Sequence, residues 1–227
     1  MFFYFIKREN NICFFGTVPD PLDQEKIDLV FAVSASSTEA EQAFHLMKET
    51  LLSIVSTHGM KNIHYTVMTY GSLTRTIVDF QDRFPDEQTL LKKLESLSTV
   101  SGTPDLDLAL ANAKKAFEAS GARPDAKKVL VFLVDNKSGS TEQDVLKSAV
   151  ALEEDGVKVI PVGIGSKVNR QELEKTTPLK KNIIEVPIKE NPEKLSKKIM
   201  KKVRESEYIV YCFLYIVTVL LCFIINF

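Results

Sequence analysis

Between residues 27 and 204 the chain alternates unbroken apolar runs with stretches in which apolar residues recur every three or four positions. The runs in IDLVFAVS, KKVLVFLVD and VKVIPVGIG predict buried strands over 28–33, 129–134 and 157–162. Only a strand covered on both faces is apolar at successive positions. IHYTVMTYGS is β-branched and aromatic and predicts a further strand, TRTIVDF a shorter one, and Gly71-Ser72 between them a hairpin. NIIEVP predicts an edge strand.

The helical stretches carry their own boundary signals. EAEQAFHLMKETLLSIVSTHG ends on Gly59, a natural stop. PDEQTLLKKLESL is amphipathic. TPDLDLALANAKKAFEAS opens on Thr103-Pro104, read as N-cap and first-turn residue, and is followed by Gly121. STEQDVLKSAVALEEDG offers a capping box from Ser140 to Gln143. NRQELEKT is a short helix and NPEKLSKKIMKKVRE the last.

Apolar strands alternating with amphipathic helices predict an α/β fold. The sheet is expected to be doubly wound and mainly parallel, with about six strands, one antiparallel edge strand and helices on both faces. Ligands of such sheets sit at the carboxyl ends of the strands, where Ser34, Thr103 and Asp135 fall.

The ends differ from this middle. Residues 1–25 hold two short apolar runs split by Lys7-Arg8-Glu9, a poor signal peptide without a basic n-region or small-residue cleavage site. Residues 208–227 contain no charged residue and have the length of a bilayer span, which predicts a C-terminal transmembrane helix. Lys194, Lys197, Lys198, Lys201, Lys202 and Arg204 precede it, and by the positive-inside rule they would place the folded part in the cytosol. The domain organisation expected is therefore an ill-defined segment over 1–25, one domain over 26–204 and a membrane helix over 208–227. The net charge of −1 gives no basic field, so nucleic acid is not an expected partner. The three cysteines, Cys13, Cys212 and Cys222, lie outside the globular stretch, so the fold rests on its core rather than on disulfides.

Three loops converge at the expected binding edge: SASST after the first strand, SGTPD before a helix, and VDNKSGS after the central strand. Together with the element order and SGTPDLDLALANAKKAF, they make residues 26–204 resemble the von Willebrand factor A domain, in texture that of matrilins and type VI collagen. The resemblance implies a metal-ion-dependent adhesion site, in which an Asp-x-Ser-x-Ser loop, a threonine and an aspartate hold Mg²⁺ or Mn²⁺. Oxygen donors with one open position suit such hard cations. Carried over by position, the implied metal residues are Ser36, Thr38, Thr103 and Asp135. Ser34 stands where the family has its first aspartate, and Asn136 where a glycine usually follows the third-loop aspartate. The site is expected to be incomplete, with weak Mg²⁺ or Mn²⁺ binding or none. Asp105, two residues past Thr103, offers a compensating carboxylate. The alternative reading gives these residues purely structural work: Thr38 and Thr103 as helix caps and Asp135 as an acceptor for loop amides.

Little else carries chemistry. VGIGS at 162–166 lacks the rest of a dinucleotide fingerprint, His45 and His64 are isolated, and no nucleophile–base pair is visible, so no enzyme is expected. Asn136-Lys137-Ser138 is a glycosylation sequon beside Asp135. The resemblance implies a cell-surface or matrix adhesion module; with 208–227 as a single membrane span, its domain is expected outside the cell. Its partners would be matrix proteins such as collagen, or other A-type domains. The alternative is a cytosolic, tail-anchored scaffold subunit, favoured by the absent cleavage site and the basic flank.

Overall fold

The structure is a computed structural model that describes residues 25–35, 41–99 and 102–205. Ser36 and Thr38, the N-terminal segment and the expected membrane helix at 208–227 lie outside the described residues.

Six strands form one sheet: β1 (Ile27–Ser34), β2 (Ile63–Tyr70), β3 (Thr74–Val78), β4 (Lys127–Val134), β5 (Lys158–Ile164) and β6 (Ile184–Val186). Their spatial order is β3-β2-β1-β4-β5-β6. All neighbours are parallel except β2 and β3, which form the expected antiparallel hairpin with β3 at the edge. The helices are α1 (Glu41–His58), α2 (Glu87–Glu95), α3 (Leu106–Glu118), α4 (Glu142–Glu154), α5 (Arg170–Lys175) and α6 (Pro192–Arg204).

The period-two geometry of a strand explains why the runs have no polar gaps. Along β1, Leu29, Phe31 and Val33 face a cluster built with α1, α2 and α6, while Val30 and Ala32 face a second cluster built with α3 and α4. Along β4, Val129, Val131 and Leu133 take the first side and Leu130, Phe132 and Val134 the second. All eight residues of β1 are buried. Each large side chain buried this way stabilises the fold by about 1.5–3 kcal/mol relative to exposure. Gly59 closes α1 as expected: it has φ 61°, and its N–H bonds Val55 O at 2.8 Å.

Two expected caps are corrected. The N-cap of α3 is Asp105, not Thr103, and its carboxylate accepts from Leu108 N at 3.0 Å. Carboxylates and hydroxyls compete for this role, and here the helix begins two residues later than expected. The N-cap of α4 is Thr141, whose hydroxyl accepts from Asp144 N, so the box expected from Ser140 to Gln143 is shifted by one residue. Ser140 is instead drawn into the loop contacts described below.

The strand order reverses between β1 and β4: chain connections lead outward to β2 and β3 on one side and to β5 and β6 on the other. The crevice at such a reversal, beyond the carboxyl ends, is where open α/β sheets place ligands. Ser34 is the last residue of β1, and Asp135 directly follows β4.

Candidate functional site

Ser34 and Asp135 meet across this crevice. The Ser34 hydroxyl donates to Asp135 Oδ1 at 2.7 Å, in a buried hydrogen bond. Ser34 is 1% exposed and Asp135 8%. Burial pushes the Asp135 carboxyl above its ordinary range, while the Ser34 hydroxyl, a backbone N–H and the charge of Lys167 pull it back. Beside them Ala35 N donates to Tyr70 O at 2.9 Å, and the buried Tyr70 hydroxyl donates to Leu133 O at 3.3 Å. Burial raises the Tyr70 phenol well above its usual value, and the nearby Asp135 and Glu172 add to this.

The second and third loops are clamped together. Ser138 is buried, and its hydroxyl accepts from Leu106 N at 3.1 Å and lies 3.1 Å from Pro104 O. Gly139 N donates to the same Pro104 oxygen at 2.8 Å. Ser140 Oγ donates to Asp105 Oδ1 at 2.8 Å and accepts from Asp107 N at 3.0 Å. The second loop is also tied to the β2–β3 turn, since Asp105 N donates to Gly71 O at 3.0 Å. Gly102 makes this approach possible: it has φ 107°, and a Cβ there would lie 2.4 Å from Ser72 Oγ.

Thr103 is exposed and packs its methyl group toward Gly139. Among the described residues no hydrogen bond joins it to Ser34 or Asp135. Asp105, the candidate compensating carboxylate, serves as helix cap and Ser140 acceptor instead. Asn136 and Lys137 are exposed, and the Asn136 side-chain oxygen accepts from Lys137 N at 2.8 Å.

Glu172 is a residue that sequence reading missed. It is buried on α5 and accepts from Ser138 N at 3.2 Å, which anchors the third loop from below. Burial raises its carboxyl above the ordinary range, against the pull of the Ser138 hydrogen bonds and of Lys137. Its local signal misdirects. Asn169 caps α5, and a glutamate three residues later reads as a capping box that would turn back on its own helix. The contact across to Ser138 has no local trace.

The described donors can be compared with what a divalent metal requires. A divalent cation needs several oxygens, some of them anionic. Among the described residues no group of three or more His, Cys, Asp or Glu side chains is placed to hold one. Among the described residues that meet in the crevice, Asp135 is the carboxylate, and one of its oxygens already accepts a hydrogen bond from the Ser34 hydroxyl. The described part of the site therefore fits a divalent ion poorly.

Comparison with known proteins agrees with this architecture. Solved structures of similar fold include proximal thread matrix protein 1 from the mussel byssus, with TM-score 0.71 and 19% identity, covering 81% of this chain and 48% of that one. The same protein has been solved with its metal-ion-dependent adhesion site occupied by zinc. Manganese-loaded TRAP protein of Plasmodium vivax matches with TM-score 0.64 and 18% identity, over 79% of this chain and 74% of that one. At these identities the likeness is one of fold. In sequence, the collagen alpha-6(VI) chain of Mus musculus is 30% identical over 156 residues, 67% of this chain. The collagen alpha-1(XX) chain of Homo sapiens is 28% identical over 141 residues, 60% of this chain. The present chain spans only 7% and 11% of the length of those two collagens. The sequence model of the von Willebrand factor type A domain matches residues 28–198, and the chain belongs to that family.

Proposed function

We propose that this chain is a non-enzymatic adhesion module that binds matrix proteins through the loops at the carboxyl edge of its sheet, with weak or no dependence on metal. Collagens and a byssal matrix protein among its relatives support a matrix setting. The observation that carries the metal-poor reading is the hydrogen bond from Ser34 to Asp135. A neutral hydroxyl stands where a second carboxylate would be needed, so Ser36, Thr38 and Thr103 would add only neutral oxygens around one charge. The partner class is collagen-like matrix protein or a second A-type domain. The test is binding of the full chain to immobilised fibrillar and type VI collagens in EDTA and in Mg²⁺ or Mn²⁺. Equal binding in both supports the reading. Binding seen only with metal overturns the metal-poor part, and no binding to any collagen removes this partner class.

The same reading places the domain over 26–204 outside the cell, with 208–227 as its anchor. Asn136 is exposed, so its sequon reports on topology. A shift in mass on removal of N-glycans, lost in Asn136→Gln, marks secretory entry. The cytosolic, tail-anchored reading draws on the lysines of α6 that precede 208. It predicts an unglycosylated chain that remains in membranes after alkaline carbonate extraction.

A further inference from the structure

A second surface lies away from the carboxyl edge. Helix α1 packs against both α2 and α6, and the three helices line an open groove of about 1020 Å³. Three contacts fix how their residues line up. Lys48 Nζ reaches Glu95 O, Ser53 Oγ donates to Ser196 Oγ at 3.2 Å, and Arg204 lies 3.1 Å from His58 Nδ1. Glu49, Glu95 and Glu193 therefore cluster at one end of the groove, and Lys201 and Arg204 at the other.

The lysines and glutamates that line the groove are sorted along it. Lys197, Lys201 and Arg204 follow one another at four- and three-residue spacing, which puts them on one stripe of α6. Lys197 and Lys201 are exposed and make no ion pair among the described residues, nor do Glu49, Glu95 and Glu193. Other lysines of α6 do pair: Lys198 with Glu190 and Lys202 with Glu205. Between the two charged ends lie Leu52, Leu91 and Met200, with the small side chains of Ser53 and Ser56.

We propose that this groove docks an amphipathic helical segment of a protein partner, acidic in one half and basic in the other. The apolar stretch between the ends calls for apolar side chains on the docked face. Opposite charges at the two ends fix its direction, as charge patterns at interfaces fix register. From Glu49 to His58 the groove runs about 14 Å at 1.5 Å per residue, room for roughly three turns of a helix about 10 Å across. A sulfated glycan or other polyanion suits the Lys201 end alone and meets the three glutamates at the other. The proposal does not depend on what the carboxyl edge binds.

The test uses the full chain and a fluorescein-labelled synthetic helix. Its first half carries glutamates at three- and four-residue spacing, its second half lysines, and leucines lie between them. Fluorescence anisotropy should show saturable binding that weakens with added salt. The double substitution Lys197→Glu with Lys201→Glu should weaken it at least tenfold, and a peptide with lysines in place of its glutamates should restore it. Both positions are exposed, so an unchanged melting temperature checks that the variant is folded. No binding of the peptide, equal binding by a scrambled peptide, or equal binding by the double variant would overturn the proposal. So would heparin binding at the same lysines more tightly than the peptide.

Discussion

Ser34 Oγ lies 2.7 Å from Asp135 Oδ1 and bridges the carboxyl ends of β1 and β4 at the point where the strand order reverses. This contact spans about a hundred residues of sequence and ties the two halves of the sheet at its binding edge. It is a neutral donor that satisfies one oxygen of a buried carboxylate.

Asp135→Asn follows directly. The amide oxygen can still accept from Ser34, while the buried charge is gone. Because burial raises the carboxyl, the substitution is expected to leave stability unchanged or raise it by about 1 kcal/mol at neutral pH. Asp135→Leu instead leaves the Ser34 hydroxyl without its acceptor and should cost about 1–3 kcal/mol. Urea denaturation of both variants checks the pair, and a large loss in Asp135→Asn would show that the charge itself is needed.

Ser34→Asp sets two carboxylates against each other in the crevice. In EDTA one of them must take up a proton or the fold must strain, at a cost of about 2 kcal/mol. With Mn²⁺ the second charge should become an asset, seen as a metal-dependent rise in melting temperature. Thr103→Ala in that background should abolish the rise. Calorimetry on the unsubstituted chain gives the baseline: millimolar Mn²⁺ affinity or weaker. Micromolar binding there would contradict the metal-poor reading.

Caps give a cleaner separation of structural from site roles. Asp105→Ala removes the α3 cap and the acceptor of Ser140 together and should cost about 1–2 kcal/mol. Thr103 is exposed and caps nothing, so Thr103→Ala alone should stay within about 0.5 kcal/mol. Thermal unfolding of the two variants side by side checks the assignment.

The fold was legible because burial on both faces writes itself as unbroken apolar runs, and β1, β4 and β5 emerged within one or two residues of their expected bounds. The hairpin of β2 and β3 was legible from Gly71-Ser72 for a similar local reason. What stayed hidden was choice among neighbouring polar residues. Thr103 and Asp105 are both good caps, as are Ser140 and Thr141, and only the packing of the second loop against the third selects Asp105 and Thr141. Of the site, the Ser34 and Asp135 positions were legible by spacing. Glu172 was not, because a contact from α5 to Ser138 depends on tertiary approach alone.

At the opposite edge of the sheet, Asp28 is fully buried and Arg123 clasps it. The Arg123 backbone N–H and Nε donate to its carboxylate at 2.6 and 2.8 Å, and the guanidinium also reaches Ile27 O and Asn62 O. Arg123→Ala would leave a buried charge with its side-chain donor lost, and would take one donor each from Ile27 O and Asn62 O, at about 3–5 kcal/mol. Arg123→Lys should recover only part, since a point charge cannot span this fork of acceptors. Replacing both partners, Asp28→Leu with Arg123→Leu, should cost less than Arg123→Ala alone. Chemical denaturation of the three variants tests this ordering.

Glu172 carries the pH dependence. Its folded carboxyl sits above the ordinary range because burial disfavours the charge, so the folded state binds its proton more tightly than the unfolded chain does. Its contribution to stability is therefore fully present below the unfolded carboxylate value, about 4.3, and is lost as pH rises through the raised folded value. Glu172→Gln removes the titration while keeping an oxygen for Ser138 N. The variant should thus be more stable than the parent at pH 7, and the difference should close as the pH falls toward 4. Other carboxylates such as Glu174 and Glu190, held low by their lysine partners, shift both proteins equally and cancel in the comparison. Melting temperatures of the two proteins across that range check the sign. A gap that widens on acidification would mean that Glu172 is stabilised as the anion, and the burial argument for it would fail.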